Sequence, residues 1–173
     1  EVTDDNATDN TLNAEKLKIT GNCTKNIAIL SSKATSLYIS GTWTLPAYQA
    51  WGVQATIIVA SGGKINIPAG CTLNSPSSGK LIVMPGGTIS GEGNLTFLNS
   101  TATSYNGGDI STKTFVTNTG DFYNYGTLTT NTFNGGGSTI VNHKKITIED
   151  SFTAYNATIK NACWVECKNT MKV

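Results

Sequence analysis

"FYNYGTLTTNTF", residues 122–133, joins an aromatic cluster, a Tyr-Gly corner and a Thr-rich run, without charge, proline or a helix signal. The same order of features recurs on both sides, as "SYNGGDIST" at 104–112 and "IVNHKKITI" at 140–148. Thr, Val, Ile, Tyr and Phe favour strands. Self-similarity at a fixed interval indicates a solenoid, in which each repeat packs only on its neighbours.

Several columns of residues share this interval. The residues that open each new strand, 18 to 24 positions apart, are Trp43, Ile65, Ile89, Ile110, Leu128, Ile146 and Trp164. Two further columns are Phe115, Phe133 and Phe152, and Phe122, Ile140 and Ile159. The last step in each of these two columns is 19 rather than 18. We therefore expect one inserted residue between Ile146 and Phe152.

A polar column follows the same register at one recurring corner, and it consists of Asn106, Asn124, Asn142 and Asn161. Asn tolerates left-handed backbone conformations, and stacked side-chain amides can hydrogen-bond to one another along an axis. We interpret the Asn column as structural, and a polar ligand stripe is the less favoured alternative.

These patterns predict an all-β chain folded as a right-handed parallel β-helix, with about 18–24 residues per coil and roughly seven to eight coils. Stacking each strand on its counterpart one coil away satisfies the backbone hydrogen bonds, and the usual crossover preference gives the handedness. We expect residues 1–14 to be a flexible acidic lead-in and residues 15–173 to be a single domain.

The last coil contains a conflict. Placing Trp164 inward with Ile146 also sends Glu166 inward, and it sends Cys163, Val165 and Cys167 outward. Either the register flips in this coil, or its faces are covered by chain beyond residue 173. The sequence favours a continuation.

Composition narrows the function classes. The net charge is +1 and all twelve basic residues are lysine, so the forked phosphate-binding side chain of arginine is missing and we expect no nucleic-acid partner. No apolar stretch reaches the 18 or so residues of a membrane helix, so we expect no transmembrane segment in this chain.

We also expect no enzyme, cofactor or metal. The acidic residues outside the first coils do not share a coil position; they are Glu92, Asp109, Asp121, Glu149, Asp150 and Glu166. The single histidine, His143, lies at a corner, and the four cysteines match no standard zinc spacing. A polysaccharide-degrading β-helix enzyme is a less favoured alternative, which would need two carboxylates roughly 5 to 10 Å apart in a groove.

The candidate ligand contacts are Trp43, Tyr48 and Trp51, which crowd into the loop "TWTLPAYQAWG" at 42–52. Planar aromatic rings can stack on the apolar face of a sugar. Packing is the favoured reading, because Trp43 falls in the inward column. The sequence leads to a hypothesis of adhesin-like binding of glycans or other surface ligands, with a purely structural stalk or spacer as the alternative.

The segments "ATIIVASGGKINIPAG", "LIVMPGGTISGEGNLTF", "FYNYGTLTT", "IVNHKKITI" and "NACWVE" resemble the β-helical repeat region of Bacteroidetes cell-surface proteins of the LruC-domain type. The resemblance covers roughly residues 37–167. It implies an exported protein at the extracellular or outer-membrane surface, lipid-anchored in full length, with a C-terminal domain on the same polypeptide. The family pattern offers no catalytic residue to transfer to this chain.

Overall fold

The computed structural model describes residues 11–13, 16–28, 36–47, 49–50, 55–74, 79–97 and 101–172, and within them it contains strands and corners but no helix. None of the described residues belongs to a helix long and apolar enough to cross a membrane. The first strands are β1 (Thr11–Asn13), β2 (Lys16–Ile19), β3 (Asn22–Cys23), β4 (Asn26–Ala28), β5 (Ser36–Ile39), β6 (Thr42–Thr44), β7 (Gln49–Ala50), β8 (Thr56–Val59), β9 (Lys64–Asn66), β10 (Thr72–Asn74) and β11 (Lys80–Val83). The remaining strands are β12 (Thr88–Ser90), β13 (Asn94–Phe97), β14 (Thr103–Asn106), β15 (Asp109–Thr117), β16 (Asp121–Asn124), β17 (Thr127–Gly135), β18 (Thr139–Asn142), β19 (Lys145–Ala154), β20 (Thr158–Asn161), β21 (Trp164–Cys167) and β22 (Thr170–Lys172).

Successive coils contribute successive strands to each sheet. The front sheet has the order β2-β5-β8-β11-β14-β16-β18-β20. The second sheet follows β3-β6-β9-β12-β15-β17-β19-β21, and β7, β10, β13 and β22 pair beside this path to form a third face. All these pairings are parallel, as in the pairs β14–β16 and β15–β17. The predicted all-β fold is confirmed as a parallel β-solenoid of about seven turns.

The core consists of like residues stacked from coil to coil. In β8, for example, Ile57 and Val59 are buried while the two alternate residues face outward. The predicted phenylalanine column is confirmed, because Phe115 pairs with Phe133 and Phe133 with Phe152. The ring centroids are 5.2 and 5.3 Å apart, within the range of favourable aromatic pairs.

One predicted column position is wrong. Ile146 pairs with Val165 rather than with Trp164, and the Trp164 side chain is 58% exposed. The cause is the extra residue of β19, which lies at 149–150 relative to β17. Every residue after the insertion is therefore 19 rather than 18 positions from its partner in the preceding coil. With Val165 inward, Glu166 faces outward, and the conflict predicted for this coil disappears.

The first strand lies before residue 15. Thr11–Asn13 pairs in parallel with Asn26–Ala28, although the sequence assigns residues 11–13 to the flexible lead-in. Backbone hydrogen bonds can pair two strands without apolar side chains. The acidic and polar composition of residues 1–14 therefore gave no indication of β1. Residues 1–10 of the predicted lead-in lie outside the described residues.

Candidate functional site

The structure buries the first of the three candidate ligand contacts. Trp43 in β6 is fully buried between Cys23 and Ile65, and its indole N–H donates a hydrogen bond to the Lys25 carbonyl at 3.2 Å. Its ring has no face available to a ligand, so the packing alternative describes its position. Tyr48 and Trp51 lie outside the described residues, and their proposed ligand role stays a prediction.

The four members of the Asn column form a ladder of hydrogen bonds. The amide of Asn106 donates to Asn124, Asn124 to Asn142 and Asn142 to Asn161, each at 2.8 Å. Each of the three donors also reaches a backbone carbonyl of the next coil, at 2.9 to 3.0 Å. The first three side chains are completely buried. These amides are occupied in holding adjacent corners together and offer nothing to a ligand.

The outward face of the front sheet carries a column of apolar and aromatic side chains, which we call the front stripe. All its members are partly or largely exposed. The stripe consists of Tyr38, Ile58, Ile82, Tyr105, Tyr123 and Val141, which are paired on consecutive strands. Lys18 pairs with its first member and Lys160 with its last. The second outward column of the sheet is polar: Ser36, Thr56, Lys80, Thr103, Asp121 and Thr139.

Three tyrosines and the histidine form a stack of nearly parallel rings at one end of the front stripe, which we call the ring ladder. Tyr105 and Tyr123 are 5.4 Å apart between ring centroids, Tyr123 and Tyr125 are 6.4 Å apart, and Tyr125 and His143 are 4.7 Å apart. The angle between the last two rings is only 2°. Tyr105 is 41% exposed and Tyr125 50% exposed, so the ladder is a surface feature.

Sequence reasoning missed the ring ladder because it searched for aromatic residues close together in the chain. Tyr105 and Tyr123 are one 18-residue coil apart and become neighbours only through the register of β14 and β16. The available signal was the position of each tyrosine directly before Asn106 or Asn124. Because alternate residues of a strand face opposite sides, a residue preceding an inward Asn must face outward.

Four acidic residues of the described chain are spread over the solenoid. Asp109 and Asp121 lie in different sheets, while Glu92 and Glu149 are separated by β15 and β17. Glu149 accepts a hydrogen bond from Lys168 at 2.6 Å, and this bond raises the pKa of the Lys168 amine. Within the described residues, no group of three or more His, Cys, Asp or Glu side chains is placed to hold a metal ion.

The described residues also contain a small cavity. A cavity lined by Phe97, Ser104 and Phe122, among others, has a volume of about 10 Å³, which is room for about one water molecule. A ligand the size of a sugar cannot enter it. The exposed front stripe and ring ladder are therefore the strongest candidate site that the described residues offer.

Comparison of the chain with models of protein families, with curated proteins and with solved structures found no match.

Proposed function

We propose that the protein is a non-enzymatic module, displayed outside the cell, that binds glycans through the front stripe and the ring ladder. The observation that carries the proposal is the continuous column of partly or largely exposed side chains from Tyr38 to Val141, six strands long. Single exposed apolar residues are ordinary in proteins, whereas these six side chains are aligned in one unbroken column.

The dimensions of the front stripe favour a linear ligand. Six strands at ~4.8 Å spacing give a length of about 24 Å, and one column is roughly 7 Å wide, which makes on the order of 170 Å². A stable protein interface needs about 800 Å² from each partner. The stripe is too narrow for that, but it suits an extended glycan, whose sugar units repeat at a length similar to the strand spacing.

The chemistry of the front stripe agrees with this ligand. Tyrosine has an apolar ring that can contact the C–H groups of a sugar and a hydroxyl that can hydrogen-bond to the sugar's own hydroxyls. The polar column beside the stripe, with Thr56, Thr103 and Thr139, adds hydroxyl groups along the same length. The separated carboxylates support a binding role over a hydrolytic one, because glycoside hydrolysis uses two carboxylates flanking one bond.

A rigid spacer is the second candidate. It is favoured by the buried Asn ladder and the stacked phenylalanine column, which join consecutive coils side chain to side chain. These features stiffen the solenoid whether or not it binds anything. The two functions differ in what they require of the surface, because a spacer has no need for Tyr105 or Tyr123.

The test is binding of the purified protein to a broad glycan and mucin array. We compare the wild type with the double variant Tyr105→Ser/Tyr123→Ser, and Ser111→Ala/Thr129→Ala on the second sheet is the matched control. Trp51→Ala is a further arm for the aromatic loop. We expect glycan binding that the tyrosine variant loses and the control keeps, with unchanged circular dichroism spectra for both.

Two results would contradict the proposal. A wild-type protein that binds nothing on the array would favour the spacer. Binding that survives in Tyr105→Ser/Tyr123→Ser and disappears only in Trp51→Ala would move the site from the front stripe to the loop.

A further inference from the structure

The outward face of the front sheet is basic. Its four lysines, all exposed, are Lys16, Lys18, Lys80 and Lys160, and its one acidic side chain is Asp121. Four positive charges against one negative charge give this face a formal charge of +3, although the whole chain has only +1. The positive charge is therefore concentrated on the face that carries the front stripe.

The other two faces lack this imbalance at their paired outward positions. On the second sheet, Lys64 and Lys145 are balanced by Asp109 and Glu166. On the third face, the paired outward positions from β10 to β22 carry Thr, Ser, Asn and Val side chains and a single charge, that of Lys172. An anionic ligand would thus be attracted to the front sheet rather than to either of the other faces.

The lysines of the front sheet lie at both ends of the front stripe and beside its middle. Lys18 pairs with the first member of the stripe and Lys160 with the last. Lys80 is two residues from Ile82 on β11, and so it points to the same side of the sheet. At ~4.8 Å for each strand, the level of Lys80 is about 14 Å from that of Lys18 and about 19 Å from that of Lys160.

Edge protection does not explain the whole set. Lysines on the end strands of a sheet oppose pairing with other chains, and this role fits the lysines of β2 and β20. Lys80 lies in β11, which is paired on one side with β8 and on the other with β14. It has no free edge to protect, and its charge is available to a ligand that lies along the front stripe.

We infer that the glycan bound by the front stripe is a linear polyanion, with carboxylate or sulfate groups at the three lysine levels and uncharged sugar faces on the tyrosines. The inference rests on the proposed function and names its ligand class. At ~0.1 M salt the Debye length is about 10 Å, shorter than either interval between lysine levels, so each level acts separately. A ligand with one charge meets one level, whereas a polymer with repeated charges meets all three.

A nucleic acid is also a linear polyanion, but the front face suits it less well. A nucleic acid carries a phosphate at every nucleotide, and arginine, the side chain that binds phosphate with two parallel hydrogen bonds, is absent from this chain. Asp121 lies two residues from Tyr123 on the same face of β16 and would repel a phosphate at that level. A glycan can place an uncharged sugar there.

The test compares acidic glycans with their uncharged counterparts by titration calorimetry. The probes are polygalacturonate with its methyl ester, for carboxylate groups, and dextran sulfate with dextran, for sulfate groups. We expect an acidic member to bind roughly tenfold more tightly than its neutral partner in about 50 mM salt, because three lysine levels each contribute a few-fold. The preference should shrink in about 300 mM salt, which screens exposed charges.

Charge variants locate the interaction. Lys80→Gln/Lys160→Gln should weaken binding of the acidic glycan roughly fivefold and leave the neutral partner nearly unchanged. Lys64→Gln/Lys145→Gln, which removes the same charge from the second sheet, is the matched control and should change little. Asp121→Asn removes the one negative charge of the front face and should strengthen binding of the acidic glycan about twofold.

The inference and the proposed function fail in different ways. If both neutral glycans bind as tightly as their acidic partners and Tyr105→Ser/Tyr123→Ser loses them, the front stripe stands and the anionic ligand is wrong. Equal losses in the two double-lysine variants would show a response to net charge alone and would overturn the inference. Single-stranded DNA that displaces the acidic glycan at equal concentration would assign the face to nucleic acid instead. If the wild type binds no glycan at all, both proposals are wrong.

Discussion

Replacing Asn124 should show how much the Asn ladder contributes to the stability of the solenoid. The side chain is completely buried, accepts one hydrogen bond from Asn106, and donates to Asn142 and to the Lys145 carbonyl. At about 1 kcal/mol for each bond, Asn124→Ala loses about 3 kcal/mol, and the polar atoms left without partners and the new cavity raise this to about 3–5 kcal/mol. The loss is a large part of a typical stability of about 5–15 kcal/mol.

Urea denaturation followed by circular dichroism measures this loss. Asn124→Val separates hydrogen bonding from space filling, because valine occupies at least as much volume as asparagine but leaves the neighbouring amides unpaired, and it should cost nearly as much as alanine. Asn161→Ala is the matched control, since Asn161 is exposed at the end of the ladder and should cost about 1 kcal/mol or less. A loss below about 1 kcal/mol for Asn124→Ala, or equal losses at both sites, would show that the buried ladder does not stabilise the solenoid.

Three further substitutions or probes test the packing. Phe133→Ala removes the centre of the phenylalanine column and should cost about 3–5 kcal/mol in urea denaturation, while Tyr155→Ala, at an exposed ring, should stay within about 0.5 kcal/mol; similar losses would contradict the core assignment. Gly126→Ala should abolish cooperative thermal unfolding or soluble expression, because its Cβ would clash with the Gly108 carbonyl, and a wild-type melting curve would contradict that corner geometry. A thiol reagent should label the exposed Cys163 in native protein and the two buried cysteines only after unfolding, and rapid native labelling of all four would contradict the structure.

The repeat interval predicts much of the fold. Positions 18 apart, such as Phe115 and Phe133, become direct partners because each coil must align its apolar residues with those of the next. The same interval places Asn106 over Asn124. The inserted residue predicted between Ile146 and Phe152 occurs at 149–150.

The remaining features depend on the orientation of side chains, which the spacing of residues along the sequence does not determine. The inward prediction for Trp164 is wrong because the shift caused by the inserted residue was not carried through to its column. The ring ladder depends on which side of each strand Tyr105 and Tyr123 occupy, and on how far the rings of Tyr125 and His143 overlap. The position of Tyr105 and Tyr123 directly before the inward Asn106 and Asn124 indicates that both tyrosines face outward.

Binding of the wild type and of Tyr105→Ser/Tyr123→Ser to the glycan array tests most directly whether the outward face of the front sheet recognises a ligand. We expect the wild type to bind a defined set of glycans that the variant does not bind, with the same circular dichroism spectrum for both proteins. Identical glycan profiles for the two proteins, or no binding by either, would contradict it.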